Sequence, residues 1–511
     1  MRRANIALVV ATAAAALSMS STAATPLHGF AAVRTTAPAP SERRGAVEDG
    51  TTPVLTLAPD IGEMEGSDSE QLKAAGYVQQ EFFIEGVAQS YVKRGEWTSN
   101  GIWDAAPGDA APYKIRVLAR YPAQTATFNG VVFVEWLNVS GGAEAAVNFA
   151  QLHEELLRDG YAYVGVGAQA VGVAGLKKGR SARRYASLRH PGDSYSYDIY
   201  SQAGRMIRSS KGLQPLGPLT GRIRYLLADG QSQSAGRMVT YVNAVHPIAH
   251  VYNGFYIHSR SGGGAPLAQD AEGKATMPVP TPARIRTDLN VPVMVIESET
   301  DVVNFVGARQ PDTPMLRVWE LAGTSHADVY QLTGGGQRPM QLRCDDEKDP
   351  RLSVPVNDGP MTYPMRAALR HMKRWLGGRP PPPSAQPLLM DGEAIRRDPA
   401  TGIALGGVRT PQVDVPTRTL NGIRAPAGGP GFCRLFGRTD EWNGDKDPWD
   451  GGPADPSPTP EPVLSRLYPT KAVYTAKVEQ ALNAAIKAGF LLKEDGPAIR
   501  AAAAGVQLDG K

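Results

Sequence analysis

The 511-residue chain is long enough for one large hydrophobic core with an appended region, or for two domains. Hydrophobic residues make up 42% of it and charged residues 20%, a balance that is typical of folded proteins and argues against a disordered chain. The formal net charge of +4 is too small to predict binding to nucleic acid or to an acidic membrane surface.

The N-terminus has the pattern of a secretory signal peptide. Two arginines precede an apolar run from Ile6 to about Leu17, and small residues follow, which predicts a signal peptide over residues 1–24. The run is too short to span a bilayer comfortably, because a spanning helix needs roughly 20 apolar residues. We therefore expect a secreted or periplasmic protein without stable membrane insertion, with an uncleaved anchor as the alternative. Residues 25–52, rich in Ala, Pro and Thr, are interpreted as a flexible lead-in.

Strand and helix patterns alternate over residues 53–378. Segments 77–92 and 113–122 alternate apolar and polar residues, which predicts half-exposed antiparallel strands. Later apolar segments are more continuous, as in strands buried on both faces of a parallel sheet, and helical patterns lie between several of them. These segments are 130–138, 160–168, 224–230, 251–259, 291–298 and 316–323. The pattern predicts an α/β fold with a mainly parallel central sheet and helices on both faces.

The composition of the sequence changes after Gly378. A Pro-rich bridge leads into a turn-rich region, and a helical pair closes the chain. We interpret residues 379–511 as a C-terminal extension packed on the core.

The stretch "YLLADGQSQSAGRMV" (225–239) predicts a catalytic serine. A serine hydroxyl becomes a good nucleophile when an imidazole takes its proton and an acid orients that imidazole. Ser232 has Gly230 two residues before it and Ser234 two residues after it, and small residues permit the tight strand-to-helix turn that exposes a nucleophile. Ser234, deeper in the helix, is the alternative. The backbone N–H of Gln233 would supply one oxyanion donor.

An acid and a histidine follow in the order that such a triad requires. "VIESETDV" ends one apolar strand and "LAGTSHADVY" ends the next, which predicts His326 as the base. Glu297, Glu299 and Asp301 are spaced two residues apart along the strand direction, so any of them could face the site. Asp301, expected in the loop after the strand, is the predicted orienting acid, and Glu299 is the alternative.

The second oxyanion donor is expected in the loop after "VVFVEW", near Leu137, Asn138 and Val139. Asn138 is the named candidate. A structural role for Asn138, capping or turning that loop, is the alternative.

The chain resembles the α/β-hydrolase superfamily, and specifically the "alpha/beta hydrolase domain" family of long bacterial and fungal chains. The resemblance covers about residues 50–510 and is carried by "NGVVFVEWLNVSGG", "YAYVGVGAQAVGV", "RYASLRHPGDSYSYDIYSQAG", "GQSQSAGR", "VPVMVIESETDV", "GGVRTPQVDVPT" and "CRLFG". The serine motif of that family is G-x-S-Q-S-G-R, and here Ala235 replaces the last glycine. Ser232 followed by Gln233 is also similar to cutinases. The resemblance implies hydrolase chemistry and the α/β-hydrolase fold for residues 53–378, but it names no substrate.

Other motifs are interpreted as structural, and no cofactor or metal is predicted. "GVGAQA" (165–170) matches a dinucleotide fingerprint, but no helix clearly opens there and no acid-ended strand follows. "HPIAH" (246–250) has two histidines, but its proline argues against a shared helical face. "KKGRSARR" (177–184) is read as a solvated loop, with a contact to an anionic substrate as the alternative. "RHPGDSYSYD" (189–198) is a candidate pocket loop.

The two cysteines, Cys344 and Cys433, both lie in turn-rich segments. An even number of cysteines in an exported chain predicts a disulfide between them, and two free thiols are the alternative.

Together these features predict a secreted serine hydrolase that cleaves a carboxylic ester through an acyl-enzyme intermediate. The expected substrate is a small-molecule or lipid-like ester. An acyltransferase with the same triad and a non-enzymatic binding protein on the same scaffold are the alternatives, and the sequence predicts no oligomeric state.

Overall fold

The computed structural model describes residues 53–61, 63–64, 69–270, 272–334, 343–344, 354–423, 432–442 and 464–508. The predicted signal peptide (1–24) and the predicted lead-in (25–52) lie outside the described residues.

Most strands of the described chain join one large sheet, and the rest form short two-stranded sheets. In chain order the strands are β1 (Val54–Leu57), β2 (Tyr77–Arg94), β3 (Asp104–Pro122), β4 (Val131–Trp136), β5 (Ala162–Val166), β6 (Tyr225–Gln231), β7 (Gly254–His258), β8 (Ala268–Gln269), β9 (Ala275–Met277), β10 (Val293–Ser298), β11 (Leu316–Leu321), β12 (Arg343–Cys344), β13 (Val354–Pro355), β14 (Met390–Asp391), β15 (Ala394–Ile395), β16 (Arg418–Asn421) and β17 (Arg438–Glu441).

Within the described residues, the large sheet has nine strands in the order β1-β2-β3-β5-β4-β6-β7-β10-β11. The neighbours from β1 to β5 pair antiparallel. From β5 through β11 every pairing is parallel. Every residue of β4 and of β10 is buried, as expected for strands covered on both faces. The predicted α/β fold with a mainly parallel sheet is confirmed.

Helices cover both faces of this sheet. The α-helices are α1 (Ser69–Ala74), α2 (Val147–Arg158), α3 (Ala170–Lys178), α4 (Ser196–Arg208), α5 (Gln233–Thr240), α6 (His246–Ala249), α7 (Glu299–Phe305), α8 (Val329–Thr333), α9 (Thr362–Leu376), α10 (Pro411–Asp414), α11 (Leu464–Leu467), α12 (Lys471–Ala488) and α13 (Gly496–Gly505). A π-helical turn (Tyr241–Val245) joins α5 to α6. Short 3-10 turns are Thr125–Thr127, Asp193–Tyr195, Gly217–Arg222, Val306–Ala308, Cys433–Leu435 and Lys493–Asp495.

Two apolar layers, one on each side of the sheet, form the core. Val132 and Val134 of β4 belong to the layer that also contains residues of α4 and α5. Val131 and Phe133 belong to the opposite layer, which contains residues of α2 and α9. This alternation follows from the two-residue period of a strand, because successive side chains point to opposite faces.

Residues beyond Gly378 lie against the β11 edge of the sheet. The Pro382 carbonyl accepts a hydrogen bond from Arg317 Nε at 2.8 Å, and the Pro383 carbonyl accepts one from Trp319 Nε1 at 2.8 Å. Val408 bonds to the backbone near the end of this strand, with its N–H 2.7 Å from the Glu320 carbonyl. A third apolar cluster joins α12 and α13. No helix within the described part of the chain has the length and apolar character needed to cross a bilayer.

Candidate active site

Ser232 lies in a strained turn between β6 and α5. Its backbone has φ 60° and ψ −119°, a conformation that costs a non-glycine residue roughly 1–3 kcal/mol. Gly230 makes this turn compatible with packing, because a Cβ there would lie 2.7 Å from the Ser234 carbonyl oxygen and 2.8 Å from Met238 Cγ. Ser232 is half-buried, whereas Ser234 is fully buried and its hydroxyl donates to the Leu137 carbonyl at 3.4 Å. The turn therefore presents Ser232 and buries Ser234.

Asp301 and His326 form a buried hydrogen-bonded pair. His326 Nδ1 lies 2.6 Å from Asp301 Oδ1. The second carboxylate oxygen of Asp301 accepts from the Ser298 hydroxyl at 2.5 Å and from the Ser298 N–H at 3.3 Å. Burial alone would raise the pKa of Asp301, but the His326 ring and the hydrogen bonds from His326 and Ser298 outweigh it and hold that pKa below its ordinary value.

The expectation that Asp301 lies in a loop is wrong. Asp301 is in the first turn of α7, where it forms a reciprocal capping box with Ser298. The pattern "SETD" at 298–301 carries this signal, since a serine followed three residues later by an acid is typical of a helix N-terminus.

His326 lies beside the serine turn. Its Nε2 atom is 3.2 Å from the side-chain nitrogen of Gln231, the residue directly before Ser232. The Ser232 hydroxyl makes no hydrogen bond within the described residues, so the Gln231 amide is the group that contacts His326 Nε2. The structure thus brings Asp301 and His326 into contact and places His326 beside the residue before Ser232, at the carboxyl ends of β6, β10 and β11, although 69 residues separate Ser232 from Asp301 in the sequence.

The other two acids of this segment have different environments. Glu299 is buried and accepts from the Gly323 N–H at 2.6 Å, the Gly422 N–H at 3.0 Å and Arg397 at 2.7 Å. Glu297 is also buried, and burial raises its pKa well above the ordinary value, which favours the neutral acid. Of the three candidates, Asp301 is the one whose carboxylate contacts His326.

Two backbone N–H groups are available to bind an oxyanion. Gln233 is the first residue of α5, so its N–H has no partner within the helix. In the loop after β4, the Leu137 N–H donates to the Val166 carbonyl at 3.1 Å, and the Asn138 N–H donates to the Ala145 carbonyl at 3.0 Å. The Val139 N–H makes no hydrogen bond within the described residues.

The Asn138 side chain is engaged elsewhere, so the structure does not support it as the direct oxyanion donor. Its amide nitrogen donates to the Gln231 carbonyl at 3.0 Å and to Gln231 Oε1 at 3.3 Å, and its oxygen accepts from the Ser140 N–H at 2.8 Å. This is the alternative role, turning and tying the loop, and among residues 137–139 the Val139 N–H is the one without a described partner.

Comparison with protein families identifies the family of the chain. A family model described as "Alpha/beta hydrolase domain" matches residues 13–501. The chain belongs to this alpha/beta hydrolase family. No curated protein matches the chain.

Three of the solved structures that resemble this chain are remote in sequence. A serine hydrolase without a lid from Xanthomonas campestris is 12% identical, with 47% of this chain and 86% of that chain covered and a TM-score of 0.27. A putative dienelactone hydrolase from Klebsiella pneumoniae is 13% identical, with 45% and 85% covered and a TM-score of 0.26. One of two fungal esterases from Rhizomucor miehei is 12% identical, with 54% and 84% covered and a TM-score of 0.26.

In this alpha/beta hydrolase, residues of the predicted extension bond to the first turn of α7, which carries Asp301, and to the loop that carries His326. Gly422 donates its N–H to Glu299, and its carbonyl accepts a hydrogen bond from the Thr300 hydroxyl. That hydroxyl in turn accepts from the His326 N–H at 3.1 Å. The Leu435 carbonyl accepts from the Ala327 N–H at 3.2 Å. Sequence reasoning missed these contacts, because nothing local marks a backbone group as a partner for a residue about 100 positions away.

A buried polar network lies under the serine turn. The Asn148 side chain donates to Asp229 Oδ1 at 2.7 Å, and its oxygen lies 2.8 Å from His258 Nδ1. Glu135 accepts from the N–H groups of Asn148 and Phe149 at 2.9 and 3.0 Å, which anchors the start of α2. Burial raises the pKa of Glu135 to about 7 and raises that of Asp229 as well, so this pair retains a proton near neutrality.

The dinucleotide-like motif is a packed strand end. A Cβ on Gly167 would overlap the Glu144 carboxylate, so the glycine serves close packing. The expectation that no helix opens there is wrong, since α3 begins at Ala170. Asp193 caps this helix, accepting from the Ala170 N–H at 2.9 Å, and also pairs with Arg237 of α5 at 2.8 Å. The candidate pocket loop 189–198 is thereby tied to the helix that follows Ser232.

The remaining motifs have structural environments. The two rings of the "HPIAH" motif lie 5.8 Å apart, and burial lowers the pKa of His246 to about 3. Within the described residues no cluster of three metal-ligating side chains occurs. The solvated-loop reading of 177–184 does not hold for Arg184, which is paired with buried Glu81 at 2.5 Å.

Cys433 is buried against Val356. The backbone of Cys344 pairs with Val354, two residues before Val356, which brings the two cysteine segments close together. The structure shows no free cysteine in the part it describes. The side chain of Cys344 lies outside the described residues, so the disulfide stays a prediction.

Proposed function

We propose that this alpha/beta hydrolase is a secreted serine esterase that cleaves a carboxylic ester through an acyl-enzyme intermediate. The observation that carries the proposal is the buried Asp301–His326 pair, 2.6 Å long, placed beside the strained Ser232 turn. A carboxylate on one imidazole nitrogen and a nucleophile turn at the other is the constellation of acyl transfer.

The chemistry follows from the position of the protons. With its proton on Nδ1 toward Asp301, neutral His326 has a lone pair on Nε2 that takes the Ser232 hydroxyl proton. Ser232 Oγ attacks the ester carbonyl, and the oxyanion is bound by the Gln233 and Val139 N–H groups. His326 then gives its proton to the leaving alcohol, and the acyl group remains on Ser232. Water repeats the sequence, releasing the carboxylic acid and restoring the serine.

Export is part of the same proposal. It is supported by the pattern of residues 1–24, two arginines followed by a short apolar run and small residues. Expression of the full chain with N-terminal sequencing of the mature protein tests it. A mature N-terminus near residue 25 in the exported fraction supports export, and an intact Met1 in the cytosolic fraction contradicts it.

The test of the chemistry uses a panel of p-nitrophenyl and aryl esters together with a fluorophosphonate probe. Wild type is expected to turn over at least one ester and to be labelled on Ser232, and Ser232→Ala to do neither. Ser234→Ala is the matched control, because it removes a hydroxyl two residues away that is buried inside the helix. A binding protein on this scaffold would leave the probe unreacted. An acyltransferase would transfer the acyl group to a competing alcohol in preference to water.

A further inference from the structure

Residues 138–145, which follow β4 and carry the proposed oxyanion donor Val139, form a closed loop that we call the oxyanion loop. At its base the Asn138 N–H donates to the Ala145 carbonyl at 3.0 Å, and the Ala145 N–H donates back to the Asn138 carbonyl at 2.8 Å. Residues 140–143 between them are exposed to solvent. Two of these four residues are glycines, which restrict the backbone little. Contacts with the core must therefore fix the position of the loop.

The side chain of Glu144 makes one such contact. It is 1% exposed, although the residues before it in the loop are exposed. Its Oε2 atom accepts a hydrogen bond from Arg116 Nη1 of β3 at 3.0 Å, and Arg116 Nε donates to Glu81 of β2. Glu81 also accepts from Arg184 at 2.5 Å and from the Tyr185 hydroxyl at 2.9 Å. A buried chain of hydrogen bonds thus connects the oxyanion loop to the sheet and to the basic segment 177–184.

Three glycines leave room for the loop on the other side. A Cβ on Gly167 would lie 2.0 Å from Glu144 Oε1. A Cβ on Gly172 would lie 2.8 Å from Glu144 Cγ and 3.2 Å from Val139 Cγ1. A Cβ on Gly175, one turn later in α3, would lie 2.4 Å from a carbonyl oxygen of the loop. All these distances are shorter than van der Waals contact, about 3.5–4.0 Å between carbon atoms, so α3 packs closely against the oxyanion loop.

We propose that Glu144 is a positioning residue that, together with the glycine face of α3, holds the oxyanion loop so that the Val139 N–H faces the carbonyl oxygen of the ester. This inference rests on the proposed function, since it assigns a role at the same site. An oxyanion is stabilised best by donors that are fixed before charge develops, because they need no reorganisation during the reaction. The exposed loop receives that fixed position from the buried Glu144 side chain. The glycines of the dinucleotide-like segment serve the same purpose.

Glu144 acts through the loop, because its described contacts include neither Ser232 nor His326. The ester carbonyl gains most of its negative charge in the transition state, so a displaced donor weakens that state more than it weakens binding of the ester. Loss of Glu144 is therefore expected to lower kcat and to leave KM nearly unchanged. A residue needed only for folding would lower the amount of active enzyme and leave kcat per active site unchanged.

The test measures kcat and KM for a p-nitrophenyl ester, with active sites counted by fluorophosphonate titration. Glu144→Ala removes the contact, and Gly172→Ala pushes on the loop from α3. Both are expected to lower kcat by about 10–100-fold with KM within about twofold, less than the roughly 10²–10³-fold cost of losing an oxyanion donor outright. Glu144→Gln keeps an acceptor for Arg116 and is expected to recover most of the loss. Gly505→Ala, in an exposed turn of α13 where a Cβ meets nothing within 4 Å, is the matched control.

Hydrogen exchange of peptides that cover residues 138–145 reports the mobility of the loop without any substrate, and faster exchange is expected in Glu144→Ala and Gly172→Ala than in the control. A lower kcat at unchanged KM together with faster exchange supports the proposal. A kcat equal to that of the control in every folded variant, or a loss confined to KM, overturns it. Should Glu144→Ala fail to fold, Gly172→Ala decides by the same criteria. A wild type that turns over no ester overturns the proposed function and this inference with it, whereas an active wild type with unchanged kcat in the folded variants overturns this inference alone.

Discussion

The two halves of the candidate site are supported by different parts of the chain. Ser232, the Gln233 N–H and the Val139 N–H lie at the ends of β4 and β6, in the middle of the sheet and next to each other in the fold. The acid and histidine lie at the β10–β11 edge, and both the start of α7 and the His326 loop are bonded to residues of the predicted extension. The nucleophile half is thus built from core residues, whereas the elements that carry the acid and the histidine also make hydrogen bonds to the C-terminal quarter of the chain.

The largest expected effect is in the nucleophile half. Ser232→Ala is expected to lower ester turnover by roughly 10³-fold or more with an unchanged melting temperature, because the lost hydroxyl lies at a turn and outside the core. Steady-state kinetics and thermal unfolding measure both. Should Ser234→Ala prove inactive while Ser232→Ala stays active, the nucleophile lies two residues further along the chain.

Removal of the acid is expected to have the next largest effect. Asp301→Asn keeps the size of the side chain but removes the charge that orients His326, and a loss of about 10²–10⁴-fold in kcat is expected. Glu299→Gln is the matched comparison, since Glu299 bonds to Gly323, Gly422 and Arg397 and makes no described contact with the His326 ring. A smaller loss in Asp301→Asn than in Glu299→Gln would reassign the acid.

The contribution of the extension is tested by Arg397→Ala. This change removes a hydrogen-bond partner of Glu299 and of Asn421. A shift of the first turn of α7, which carries Asp301, is expected to lower kcat by about 10–100-fold. The rate of labelling by fluorophosphonate is expected to fall with it, and Arg397→Lys to recover part of the loss. Arg409→Ala removes another extension arginine, paired with exposed Asp414, and serves as the control. Equal kcat in Arg397→Ala and in the control would show that the extension is dispensable for the acid–histidine half.

The acids in the two halves are also expected to change the stability of the fold with pH in opposite directions. Asp301 has a lowered pKa, so its contribution to stability is present above about pH 4 and is lost as pH falls below that value. Glu135, under the serine turn, has its pKa raised to about 7 by burial, so the folded state binds more protons and stability falls as pH rises from about 4 to 7.

Urea unfolding of wild type and Glu135→Gln across this range measures the second effect. In wild type the free energy of unfolding is expected to fall between about pH 4 and 7, and one proton contributes at most about 1.4 kcal/mol per pH unit to that fall. In Glu135→Gln the fall is expected to be smaller. An unchanged slope would assign the pH dependence to other groups, Asp229 first among them.

The smallest effect expected on activity is that of the predicted disulfide. A bond between Cys344 and Cys433 would close a loop of about 90 residues and stabilise the fold by roughly 2–4 kcal/mol. Thiol titration of the denatured, unreduced exported protein is expected to find no free cysteine, and reduction to lower the melting temperature. Two titratable thiols in freshly purified exported protein would contradict the bond.

The sequence by itself determined the features that depend on local geometry. A tight strand-to-helix turn needs small residues around the nucleophile, so Gly230 and Ser234 mark Ser232 without any knowledge of the fold. The strand periods predict the sheet, and parallel strands bring their carboxyl ends to one edge, so Asp301 and His326 could be named from their positions after β10 and β11. The helix capping box that places Asp301 was also present in the sequence, as the pattern "SETD".

Only the tertiary structure decided where each polar group points. Glu299 and Asp301 lie two residues apart and are chemically alike, yet one bonds to the extension and the other to His326. Asn138 was the candidate oxyanion donor, and its amide instead donates to the backbone carbonyl and the side-chain oxygen of Gln231, 93 residues away along the chain. Hydrogen bonds depend on distances of a few tenths of an ångström and on the direction of each donor. Those quantities are set by packing between distant segments, which neither periodicity nor spacing along the chain contains.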